Sequence, residues 1–511
     1  MRLIRPLAIA LVLAGCGSGG SDRTATLRAD VVGDLSDPSS PPRLALTAST
    51  QLGLVQFDDK GQVVPGLAAS WRVVDQGRSL IFRLRDAKWS DGRVLKAGDV
   101  VQVFRRIVAP SSNNPLKALF AGIDNAPAVM TGQAPASLLG VNAPLDDVVE
   151  VRLSTPDAGM LALLALPQAA IVRGESRPPA IGAFTLPDPG TRPLGLVRNT
   201  RYFDAADTRL GKVVLTAAPD ATNAVARFLR GDTDLVIGDG IAGLVQARAL
   251  APRGSLRIEP TWGVYGYAAN LRSGPLVDPR VRRALAMAID RDALVRGVFN
   301  LPAVIPLVSL VPPDAGSGSA GDSGGAPVPD WASLDLGARR ALAAQLLGAA
   351  GYGPANPLHL TISVPPGPEH LQVVAAAARD WAPLGVVATA VARSTAAQRV
   401  ALARGDFTLA LVERVAPAGQ PLFFLRPLTC AGSGGAYCNP GADALIDSAR
   451  GMADDDARAA AFAHAETAML SDTPMIPLFV PVRWALVGRG VSGWSDNQGG
   501  QHPFAALDKS R

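Results

Sequence analysis

The sequence predicts an α/β protein of two or three domains, and three observations lead there. Strand-like and helix-like segments alternate along the chain without a short internal repeat. The 511 residues, 48% of them apolar, are enough to bury more than one core. Beyond the first fifteen residues no segment is apolar and long enough to cross a bilayer.

The N-terminus sets the compartment. Arg2 and Arg5 precede an apolar run over residues 7–13 that is too short to span a membrane, the pattern of a secretion signal. It ends in Leu13-Ala14-Gly15-Cys16, a lipobox, where small residues let a signal peptidase cut before a cysteine whose thiol carries diacylglycerol. The expectation is a signal peptide over 1–15 and a lipidated Cys16, with a Gly/Ser linker through residue 24. The body then works in the periplasm or at the cell surface, held to the membrane by lipid alone. A buried N-terminal helix with an incidental cysteine is the other reading.

The formal net charge of +5 falls to +3 once Arg2 and Arg5 leave with the signal. That excess is too small and scattered to track phosphates, so no nucleic-acid partner is expected. With Cys16 lipidated, Cys430 and Cys438 remain. A small-loop disulfide is the default for such a pair in an oxidising compartment; a metal or nucleophile pair is the alternative. The histidines, His359, His370, His464 and His502, are neither three or four residues apart nor beside these cysteines, so neither metal nor cofactor is expected.

Individual elements follow the hydrophobic pattern. Residues 52–57 read as a strand, Asp58-Asp59-Lys60-Gly61 as a turn, and residues 79–85 as a half-buried strand. Residues 278–298 form the clearest helix, with Asp278 as its cap and Pro279 in its first position. A second helix over 338–350 stops at Gly351, and the Gly/Ser/Pro-rich stretch 315–329 between them is a loop.

A family resemblance rests on motifs in order. Asp59-Lys60-Gly61, Pro65-Gly66-Leu67-Ala68-Ala69-Ser70-Trp71, Phe82-Arg83-Leu84-Arg85, Lys88-Trp89-Ser90-Asp91-Gly92 and Gly98-Asp99-Val100-Val101 come first. Gly182-Ala183-Phe184-Thr185, Arg198-Asn199-Thr200-Arg201-Tyr202-Phe203 and Gly231-Asp232-Thr233-Asp234 follow. Asn270 with Asp278-Pro279-Arg280-Val281-Arg282-Arg283-Ala284 and Ala288-Ile289-Asp290-Arg291 is the most specific, and Ile476-Pro477-Leu478 closes the series. Together they resemble the family-5 extracellular solute-binding proteins, the oligopeptide- and dipeptide-binding lipoproteins of ABC importers. Most of these residues read as structural. Trp71 and Trp89 suit a core or a shielded sheet edge, and Asp278, Arg280, Arg282, Asp290 and Arg291 suit helix caps and surface ion pairs.

The resemblance implies a two-lobed periplasmic-binding-protein-like fold of the class II type, its lobes joined by two hinge segments. The first lobe is expected over 25–267 and 479–511, with a subdomain at about 65–170, and the second over 268–478. Tyr265-Gly266-Tyr267 and residues 477–487 would be the hinge, with the ligand between the lobes. The implied function is that of a monomeric substrate-binding lipoprotein that delivers peptides or a related small solute to an ABC permease.

Peptide-binding members resembling this chain hold the peptide's ammonium on an aspartate shortly before an acidic-Pro pair. With Gln420-Pro421 placed at that pair, Pro417 stands at the aspartate and Arg414 at a nearby tryptophan. A proline offers no carboxylate, so that mode of recognition is not expected. The candidate ligand residues are Tyr265, Tyr267, Glu413, Arg414 and Gln420; Glu259 is a second carboxylate to weigh. Arg414, whose planar fork suits a carboxylate or phosphate, would receive an anion, or else is a solvated loop residue. The chain is also short between Ile171 and Gly182, where relatives carry a longer loop and helix. The alternative function is therefore an orphan lipoprotein with a degenerate cleft and a structural, chaperone-like or sensory role. No Gly-x-Ser-x-Gly, His-Glu-x-x-His or P-loop occurs, so an enzyme is not expected.

Overall fold

The computed structural model describes residues 24–313, 315, 326–416, 419–452 and 454–510. Cys16 and Pro417, and most of the predicted loop at 315–329, lie outside the described residues.

Two mixed sheets organise the chain. The first has seven strands in the order Leu256–Pro260, Val482–Val487, Leu235–Ile237, Thr26–Val32, Lys212–Ala218, Leu194–Arg198, Phe184–Thr185. Its centre is parallel: Thr26–Val32 lies between Lys212–Ala218 and Leu235–Ile237 and runs with both. Leu27, Ala29 and Val31 on one face of this strand and Asp30 and Val32 on the other are buried, as expected of a strand covered on both faces. The second sheet has six strands in the order Ile305–Pro306, Met475–Val480, Gly263–Ala269, Leu409–Val415, Leu358–Val364, Val386–Ala392. Here Leu358–Val364 runs parallel to both neighbours. A four-stranded antiparallel layer, Ala68–Val74, Ser79–Leu84, Val148–Arg152 and Val141–Leu145, packs into the core of the first sheet.

The chain passes from the first sheet to the second between Pro260 and Gly263, and returns between Val480 and Val482. The two crossings lie side by side, because Thr261 Oγ1 donates to the Pro481 carbonyl at 2.7 Å. This moves the expected first crossing. Tyr265 and Tyr267 lie inside a strand that pairs with Leu409–Val415 from Gly263 to Ala269, so they belong to the second sheet and the chain crosses at Thr261-Trp262.

The predicted helix over 278–298 is two helices, Pro279–Ala288 and Arg291–Val298, because Ile289 and Asp290 take extended backbone angles. Asp278 and Asp290 cap them through Arg280 N and Ala293 N, as expected. Arg282 and Arg291 depart from the surface reading: they are 7% and 4% exposed. Arg282 donates to the carbonyls of Leu276, Val277, Asp472 and Thr473, joining the start of one helix to the end of another. Arg291 donates to the Pro477 and Ala286 carbonyls. The charged groups satisfy buried and part-buried backbone acceptors. Cys430 and Cys438 are joined by a disulfide.

Arg282→Ala leaves those carbonyls without donors, and a loss of about 3 kcal/mol in unfolding free energy is expected from urea denaturation. Arg280→Ala, at a side chain that pairs with Asp278 at the surface, is expected to change it far less.

Candidate functional site

The two sheets face each other with the carboxyl ends of their parallel strands, where open α/β sheets form their crevices. Beyond Thr26–Val32 comes the loop carrying Asp37, and beyond Leu235–Ile237 comes Gly238-Asp239-Gly240. Opposite them, Leu409–Val415 carries Glu413 and Arg414 close to its end, and Leu358–Val364 leads through Gly367 into the helix Pro368–Trp381.

Strand register sorts the expected residues. Glu413 is paired with Tyr265 and Arg414 with Val264, and directly opposed residues share a face of the sheet. Glu413 and Arg414 therefore project from opposite faces of one strand. Tyr265 and Tyr267 have no exposed surface. Tyr265 stacks on Phe479 and its hydroxyl lies 2.7 Å from His370 Nδ1. Burial holds His370 down at about 4, so it is neutral at physiological pH. In this closed arrangement both tyrosines are buried, and Tyr265 lies on the sheet face that carries Glu413. Gln420 turns toward the first lobe, its amide packed against Gly159 at the start of the helix Met160–Leu164.

Glu413 reaches the first lobe. Gly240, whose φ of +54° favours glycine, comes so close that a Cβ there would sit 2.7 Å from Glu413 Oε2. Asp239 is open to solvent and Glu413 partly so. Burial first, and then Asp239, push Glu413 up to about 8; burial and then Asp37 push Asp239 up to about 6. Arg483 pulls both back, and burial lowers its own pKa against the attraction of Glu413, Glu259 and Asp239. Arg483 is fixed by a bond from Nη1 to the Gly499 carbonyl at 2.6 Å. Glu259, the second carboxylate weighed from sequence, is 2% exposed and lies 2.9 Å from His502 Nε2, so it supports the site from behind. Arg414 makes no hydrogen bond or ion pair among the described residues, and burial alone lowers it to about 10, which leaves it charged at neutral pH.

Sequence reasoning missed the residues that join the lobes. Glu369 is 1% exposed and accepts from Gly243 N at 3.0 Å and Val245 N at 3.2 Å, bridging the second lobe to the first. Arg248 donates to the Phe299 and Asn300 carbonyls, Arg399 pairs with Asp37, and Arg426 donates to the Leu119 carbonyl near Asp157. Asp239 had one legible signal, an Asp-Gly directly after an apolar strand. The lobe-joining arginines had none, since each looks like any surface arginine until the lobes meet.

Two α/β lobes, two adjacent crossings and a charged cleft between strand ends define a hinged, two-lobed solute-binding protein. Residues 62–435 match the model of the bacterial extracellular solute-binding proteins, family 5 Middle, and the chain belongs to that family. It is 30% identical over 466 residues to the periplasmic murein peptide-binding protein MppA of Escherichia coli (strain K12), covering 87% of this chain and 84% of that one. It is equally 30% identical over 446 residues to the probable deoxycholate-binding periplasmic protein YgiS of the same strain, covering 84% and 82%. The solved structure of Escherichia coli MppA superposes with a TM-score of 0.85 at 28% identity, covering 95% of this chain and 98% of MppA. The unliganded open form of MppA superposes at only 0.70, with 27% identity and coverage of 95% and 97%. Together with the contacts between lobes, this identifies the arrangement described here as the closed one.

Closure sets a pH dependence. Glu413 and Asp239 rise to about 8 and about 6 in the closed cleft from ordinary values of 4.5 and 3.8. The empty closed form therefore binds more protons than the open one within that range, and its share falls as pH rises through it. Small-angle scattering of the ligand-free protein is expected to report a more compact particle at about pH 5 than at about pH 8. Profiles that coincide would contradict this reading.

Proposed function

We propose that this protein is the substrate-binding component of an ABC-type importer. It is anchored outside the cytoplasm by lipid at Cys16, closes over a peptide or related small solute, and presents the closed form to a membrane permease. The division of the chain is read as a first lobe built from residues before Thr261 and after Pro481, and a second lobe between them. The relatives support solute capture but leave the solute open, because a murein peptide-binding protein and a probable deoxycholate-binding protein are equally similar to this chain.

The observation that carries the reading is Arg414, a charged guanidinium enclosed at the end of a cleft strand with no partner among the described residues. An unpaired enclosed charge is costly, and a ligand anion is the natural complement. The role is binding rather than catalysis, and the permease distinguishes occupied from empty protein by shape.

Calorimetry with trialanine and its C-terminal amide tests the role of Arg414. A charge-assisted bond from an enclosed guanidinium contributes about 1.5 to 3 kcal/mol, so amidation or Arg414→Ala is expected to weaken binding roughly tenfold or more. Equal affinity for both peptides and both proteins would overturn this role. Mass spectrometry of the membrane-extracted protein is expected to begin at an acylated Cys16; a chain still starting at Met1 would contradict the anchor.

A further inference from the structure

We infer that Glu413 and Asp239, approaching from opposite lobes, form a subsite for an ammonium or guanidinium group of the bound solute. The inference rests on reading the interlobe cleft as the ligand site, and it supplies the cation partner that Pro417 cannot.

Glu413, partly buried, and Asp239, open to solvent, have neither a hydrogen-bond donor nor a paired cation among the described residues. After burial, Asp239 raises the pKa of Glu413 and Asp37 raises that of Asp239, as expected of like charges brought together. The nearest counter-charge, Arg483, is already shared. It feels Glu413, Glu259 and Asp239 together, and its Nη1 is committed to the Gly499 carbonyl. Glu259 is 2% exposed; one of its oxygens lies by His502 Nε2 and the other is buried with no partner, so it cannot release Arg483 to the acids in front. The remaining charged and titratable groups nearby do not fill the gap. Asp37 is held by Arg399, Glu369 by two backbone donors, and Tyr265 by His370, which stays neutral.

Closing the empty lobes therefore brings two acids together with less than one positive charge to balance them. A monovalent organic cation corrects this in a way a metal ion does not. Arg483 repels a divalent ion, and no group of three or more metal-binding side chains occurs among the described residues. An ammonium or guanidinium donates directional hydrogen bonds to both lobes at once, tying recognition to closure. The close approach of Gly240 leaves the Glu413 carboxylate against the Asp239 turn, so one cation can bridge the two.

Two measurements on the mature protein test the subsite, with Asp239→Asn, Glu413→Gln and the double variant, all near-isosteric and checked for native melting. In small-angle scattering without added solute at about pH 8, the double variant is expected to be more compact than wild type, because the pair that opposes empty closure has lost its charge. A double variant as extended as wild type overturns the inference whatever the solute proves to be. In calorimetry at the same pH, trialanine is expected to bind wild type at least tenfold more tightly than either single variant, and more tightly than N-acetyl-trialanine binds wild type. Binding that survives acetylation and both substitutions overturns the subsite while leaving solute capture in place. If wild type binds neither peptide, the peptide form of the proposed function fails, and the scattering comparison decides the subsite alone.

Discussion

The fold depends on two short crossings held side by side. Thr261 donating to the Pro481 carbonyl ties the outgoing strand connection to the returning one, so the lobes share a single axis. Everything else about the cleft follows from where each sheet places its parallel strands. Those strands end at the loops of Asp37 and Asp239 on one side and of Glu413 and Glu369 on the other, and rotation about the axis brings these ends together. A linkage this short transmits rotation but little translation, which suits a protein read through its shape.

Closure places charge where solvation is poor. Several groups there find partners across the lobes: Glu369 with backbone donors, Arg399 with Asp37, Arg426 with Leu119 and Asp157. Others do not. Arg414 and the Glu413–Asp239 pair remain incomplete, on opposite faces of one strand. Partners across the lobes make closure possible, and incomplete groups make it conditional on what is bound. That division separates residues that hold the closed form from residues that select its cargo.

The fold was more legible in the sequence than the site. The Asn270 to Arg291 motif and the late Ile476-Pro477-Leu478 pointed to the family, and in this chain they encode helix caps and the strand that leads into the return crossing. The same motifs misled about burial. Arg282 and Arg291 read as surface charges because sequence spacing shows local neighbours, whereas their acceptors lie up to 191 residues away. Tyr265 and Tyr267 were expected to meet ligand because aromatic residues near a hinge suit a cleft; in the closed form neither has exposed surface, and Tyr265 shares the sheet face of Glu413. Glu413 and Arg414 were found from alignment to an absent aspartate. Asp239 and Arg483, from distant parts of the chain, could be joined to them only once the sheets faced each other.

The central claim is that the two lobes close over a bound solute about the Thr261–Pro481 axis. Pulsed dipolar spectroscopy between spin labels at the exposed Val197 and Val387, one on each sheet, reads that motion directly in protein stripped of ligand by unfolding and refolding. The account predicts a broad distance distribution in the empty protein at about pH 8 that shifts and narrows to the closed arrangement when a binding solute is added. A distribution that is already narrow when empty, and unmoved by any solute that calorimetry shows to bind, would contradict it.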